Sequence, residues 1–142
     1  MKKKILITLA LLSFIVILIY LRSNTGLKSL ENAVSNIALP KSIEKIAIKS
    51  DIGDSGGNGD YSTFRVVLVI KTEMNITELK QEFENMNLKF PKHYASRGNT
   101  PIFYITNCTS NVFTSSRNFS ITFNELTNIE DYHNYYFVEF VE

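Results

Sequence analysis

The chain has one cysteine, no tryptophan and only three prolines among its 142 residues. With Cys108 alone, an intramolecular disulfide and a thiolate metal cluster are both excluded. Standing between Asn107 and Thr109 beside an apolar run, Cys108 reads as a small, partly buried residue. Acids are missing from the first 22 residues, which hold Lys2, Lys3, Lys4 and Arg22. Lysine and arginine are missing after Arg117, where Glu125, Glu130, Asp131, Glu139 and Glu142 stand. Past Arg22, 11 Lys and Arg face all 14 Asp and Glu, a net of −3. Phosphate backbones need clustered positive charge, so this distribution argues against a nucleic-acid partner. Internal repeats, low-complexity tracts and cofactor motifs are also lacking, and the length suits one domain of ordinary size.

What is present is, first, a long oily leader. "MKKK" precedes Ile5 to Leu21, 17 residues interrupted only by Thr8, Ser13 and Tyr20. As a helix this run is roughly 25 Å long, at the short end of what crosses a hydrocarbon core. Lys4 and Arg22 can snorkel to the two interfaces, and the flanking positive charge places the N-terminus in the cytoplasm. A cleavable signal peptide would have a shorter apolar region and a small-x-small site close behind it, which "RSNTG" does not offer. The expectation is an uncleaved signal-anchor over residues 1–22, a single-pass cell-membrane location, and membrane lipid as the partner of that segment.

Leu27, Leu30, Val34 and Ile37 then recur at helical spacing up to Pro40. They predict a short amphipathic helix in a juxtamembrane stalk, residues 23–40, packed on the domain. Residues 41–142 read as an extracytoplasmic α+β domain. "SIEKIAIKS" sets Ile46 and Ile48 on one face of a strand against Lys45 and Lys49. "YSTFRVVLVIKT" has Phe64, Val66, Leu68 and Ile70 on one face and Val67 and Val69 on the other, the pattern of a central strand. Asn75 and Glu78 have capping-box spacing before a helix that carries Ile76, Leu79, Phe83 and Met86. "IFYITN", "NFSITF" and "YYFVEFVE" complete a β-β-α-β-β-β order. That order predicts a mostly antiparallel five-stranded sheet with one helix on a face.

Between the first two strands lies "GDSGGNGD", Gly53, Asp54, Ser55, Gly56, Gly57, Asn58, Gly59 and Asp60. Its first five letters spell the serine motif of chymotrypsin-like proteases. That family orders its triad His, Asp, Ser, whereas both histidines here, His93 and His133, follow Ser55. As an EF-hand the loop fails, because the twelfth position from Asp54 is Arg65 where a bidentate Glu is required. Glycine supplies positive φ without steric cost, and Asp and Asn bond their own backbone in turns. The stretch is therefore read as a hairpin loop, and its four glycines let a partner's backbone approach closely. The aromatic cluster in "DYHNYYF", Asp131 to Phe137, reads as core packing before a sugar-stacking platform.

The run from Leu39 to Thr72, "LPKSIEKIAIKSDIGDSGGNGDYSTFRVVLVIKT", with the helix after it, resembles small single-pass membrane-anchored proteins of Gram-positive bacteria. The resemblance implies an envelope location and transfers no activity and no site residue. Together these features predict a non-enzymatic binding module of the cell envelope, with Gly53 to Asp60 as its contact loop, an envelope protein as partner, no metal and no catalytic set. Two alternatives stand beside it: a small envelope hydrolase using Ser55 or Cys108 with His93 or His133, and a weak calcium-dependent adhesion or sensing domain.

Overall fold

The computed structural model describes residues 2–54, 62–86, 88, 102–115 and 119–141, and their side chains except at 2–6, 19–24, 53, 54 and 62. In chain order the elements are α1 (Lys2–Ser35), β1 (Glu44–Asp54), β2 (Ser62–Lys71), α2 (Ile76–Asn85), β3 (Ile102–Asn107), β4 (Val112–Thr114), β5 (Ser120–Thr122), a short 3-10 turn (Asn124–Leu126) and β6 (Tyr135–Val141). The class is α+β, with every strand pairing antiparallel.

The sheet is not five-stranded. Four strands run in the order β1-β2-β6-β3, and β4 and β5 form a separate two-stranded hairpin. "NFSITF" supplies β5, which pairs with a strand centred on Phe113 rather than joining the main sheet. The physical reason lies in β2 and β6. Both are apolar on both faces, so one helical layer would leave half of that surface wet.

Side-chain alternation along β2 divides the core in two. Phe64, Val66, Leu68 and Ile70 meet Tyr136, Val138 and Phe140 of β6 on one face. Two helices cover them, not one: α1 through Leu30 and Val34, and α2 through Leu79 and Phe83. On the opposite face Val67, Val69 and Phe137 lie under Phe113, Ile121, Phe123 and Leu126 from the hairpin and the 3-10 turn. Phe113 and Phe123 flank Phe137 at centroid distances of 5.3 and 5.6 Å, the spacing of favourable aromatic pairs.

Each element has a local cause. Asn75 caps α2 by accepting from the Thr77 and Glu78 amides, at 2.9 and 3.0 Å. Glu78 reaches back to the Asn75 amide at 2.9 Å, which completes the capping box. Ile76 lies off the buried stripe, 39% exposed. In β1 the register shifts between Lys45 and Ala47, the mark of a bulge. A bulge inserts one residue and reverses the alternation. Ile46 accordingly packs toward the hairpin with Ala47, while Ile48 packs toward the helices. The two isoleucines do not share a face.

Candidate functional site

α1 is a single helix from Lys2 to Ser35 whose two parts meet different surroundings. Its C-terminal part is docked. Gly26 approaches the buried Phe64 ring so closely that a Cβ there would lie 2.5 Å from Cε2. Glu31 accepts from the Ser50 hydroxyl at 2.7 Å, and Lys45 Nζ donates to the Ser35 carbonyl at 2.6 Å, satisfying the end of a helix with no basic residue in its last turn. From Ile7 to Leu18, by contrast, every side chain is exposed, and the large apolar ones show between 49% and 62% of their surface. Among the described residues no helix is long and apolar enough to cross a membrane. Side chains of the Ile5–Leu21 run are described only from Ile7 to Leu18.

The glycine-rich stretch divides at the end of a strand. Asp51, Ile52, Gly53 and Asp54 belong to β1 and pair with Arg65, Phe64, Thr63 and Ser62. Gly53 and Asp54 are thus strand rather than loop, and the long β1–β2 hairpin brings the two ends of the remaining connection together. Ser55, Gly56, Gly57, Asn58, Gly59 and Asp60 lie outside the described residues, as does His93. The Asp51 carboxylate accepts from the Ile52 amide at 2.7 Å. Among the described residues no group of three or more His, Cys, Asp or Glu side chains is placed to hold a metal ion.

Cys108 is buried, 4% exposed, in the hairpin-side core among Val67, Val69 and Phe113. Burial pushes its thiol up to about 12, which favours the protonated thiol at neutral pH. His133 is exposed in a turn, its amide held by the Asp131 carboxylate at 2.9 Å. "DYHNYYF" divides into core and rim: Tyr136 and Phe137 are buried, while Tyr132 and Tyr135 form a half-buried edge-to-face pair.

One polar group escaped sequence reasoning altogether. Arg65, 3% exposed, lies on the hairpin face between β2 and its neighbours. Its Nη1 donates to Glu139 Oε1 at 3.0 Å and to Ser115 Oγ at 2.7 Å, and its guanidinium sits 5.2 Å from the Phe119 ring centre. The only available signal was the charge of Arg65 and Glu139 in otherwise apolar strands. Buried beneath the hairpin, the group clasps the two sheets together.

The described surface carries two shallow depressions among others. One, of about 520 Å³, runs beside α2 and is lined by Glu73, Met74, Glu78, Gln81, Glu82 and Asn85. The other, of about 470 Å³, includes Lys71, Glu130, Asp131 and His133. Compared with known protein families, curated proteins and solved structures, the chain matches none.

Proposed function

We propose that this protein is a membrane-anchored extracytoplasmic α+β domain that works by binding, a non-enzymatic interaction module of the cell envelope. The observation that carries it is the contrast within α1. Leu30 and Val34 are buried in the core, while Ile7 to Leu18 display apolar side chains around the whole circumference. A surface of that size and uniformity calls for a non-aqueous neighbour. Lysines before the run and Arg22 after it complement lipid headgroups on either side. The site chemistry favours binding over catalysis: the buried Cys108 is held as a thiol, and His133 lies in an exposed turn.

The contact surface we assign is Gly53 to Asp60, the last two residues of β1 and the stretch that follows them in the β1–β2 hairpin. Its strands stay paired to Asp54 and Ser62, so the connection is rooted on the longest ladder of the fold. Fractionation of cells expressing the full chain, followed by protease treatment of intact cells, tests the placement. Full-length protein in the membrane pellet, with the domain digested from outside, is expected; full-length protein in the soluble fraction overturns it.

A further inference from the structure

The two edges of the main sheet differ in kind. β1, at one edge, carries Glu44, Lys45, Lys49 and Asp51, contains a bulge, and has α1 across its face. Those are the devices by which natural sheets keep other strands away. β3, at the other edge, reads Ile102, Phe103, Tyr104, Ile105, Thr106, Asn107, with no charge, proline or register shift. Among the described residues no strand lies on its outer side.

The ladder fixes which groups face outward. Cys108 N–H donates to the Tyr135 carbonyl at 2.9 Å, and the register continues through Asn107↔Tyr136 to Ile102↔Val141. Bonded and non-bonded pairs alternate in an antiparallel ladder, so Thr106, Tyr104 and Ile102 bond to β6. Phe103, Ile105 and Asn107 therefore turn their N–H and C=O groups away from it. On the hairpin side of this edge Ile102 and Tyr104 stand 51% and 55% exposed.

We infer that the β3 edge accepts an extended, uncharged segment of a partner protein as an added antiparallel strand. Three main-chain positions supply the hydrogen bonds, and the partner's alternate apolar side chains cover Ile102 and Tyr104. Charge selects the partner's chemistry, since an acidic or basic strand laid on a neutral, apolar edge would be desolvated without a counter-charge. Geometry selects a different protein over a second copy. Antiparallel self-pairing of β3 places a two-fold axis normal to the sheet, which reverses every direction in the sheet plane. α1 packs along that plane, so the two N-terminal helices would point in opposite directions and could not enter one membrane from one side. This choice of occupant rests on the membrane-anchored reading; the availability of the edge does not.

The test uses the full chain in detergent micelles and, as probe, an acetylated and amidated hexapeptide alternating threonine and valine. Hydrogen exchange by NMR is followed at Phe103, Ile105 and Asn107, with β1 amides as the control edge. Saturating peptide is expected to slow exchange at the three positions by about tenfold or more, with β1 unchanged. Tyr104→Lys, a change at an exposed side chain, is expected to weaken the peptide by about tenfold while leaving the circular dichroism spectrum unchanged. Three results overturn the inference: exchange at these amides already slow without peptide, no slowing at saturation, or equal slowing at β1. Concentration-dependent dimerisation of the full chain that Tyr104→Lys abolishes would replace the partner strand with a second copy. Membrane fractionation stands apart from all of these, so a soluble protein that still bound the peptide would sink the anchor and spare the edge.

Discussion

The two faces of the main sheet are covered by different means. On the helix face Phe64, Val66, Leu68 and Ile70 meet Leu30, Val34, Leu79 and Phe83, an entirely apolar layer in which Phe83, Phe103 and Phe140 lie with ring centroids 5.8 to 6.3 Å apart. On the hairpin face the same strand contributes Val67 and Val69 to an aromatic cluster, and Arg65 to a buried group with Glu139 and Ser115. Alternation allows one strand to serve both. Burial of apolar area specifies little by itself, because many packings satisfy it. A buried ion pair tolerates few, since a displaced hairpin would leave a charge without its partner. Lys49 adds a second tie on this face, donating to the Thr122 carbonyl at 2.7 Å.

The largest effects should come from breaking each face in its own way. Phe83→Ala opens a cavity under α2 and is expected to cost roughly 3–5 kcal/mol in urea unfolding. Glu139→Ala strands the guanidinium of Arg65 and is expected to cost roughly 3–5 kcal/mol as well. The distinction lies in rescue. Replacing both members, Arg65→Met with Glu139→Leu, should return stability to within about 1 kcal/mol of wild type, because the desolvation penalty leaves with the charges. A double variant as unstable as Glu139→Ala would show that the two faces do not differ in this respect.

Smaller effects sharpen the helix face. Gly26→Ala gains about 1 kcal/mol of helix propensity. Its methyl meets the buried Phe64 ring, where overpacking costs about 1–3 kcal/mol, so a net loss in thermal melting is expected. Asn75→Ala, which frees the Thr77 and Glu78 amides at the start of α2, should cost about 1 kcal/mol. The last effect belongs to the hairpin face and appears only in alkali. Since the Cys108 thiol is raised from 9.0 to about 12 in the folded chain, the unfolded chain loses this proton first. Its contribution is intact below pH 9 and is lost as pH rises toward 12. The urea midpoint should therefore fall more steeply across that range in wild type than in Cys108→Ala.

What the sequence disclosed was local. The two apolar faces of β2 and the capping box at Asn75 and Glu78 are patterns that a short segment carries whole, and each stands in the structure as its residues predict. Relations between distant segments were not legible. β4 is only Val112–Thr114, with Phe113 alone turned inward, too little alternation to announce a strand. The bulge that separates Ile46 from Ile48 has no mark in "EKIAIKS", because it arises in the pairing with β2. Arg65 and Glu139 stand far apart in the chain, so their ion pair could not be seen before β2 and β6 were paired. Of the proposed contact stretch, Gly53 and Asp54 prove to be strand residues.

Nothing interrupts α1 between the oily stretch around Phe14 and the docked turns around Leu30. A mast stepped into a hull behaves the same way: lean one and the other leans with it. One continuous helix therefore links the N-terminal turns to Gly26, Leu30 and Val34 on the sheet, with no loop between them to act as a hinge. Under the proposed anchoring, the orientation of the domain would be set by that of the helix.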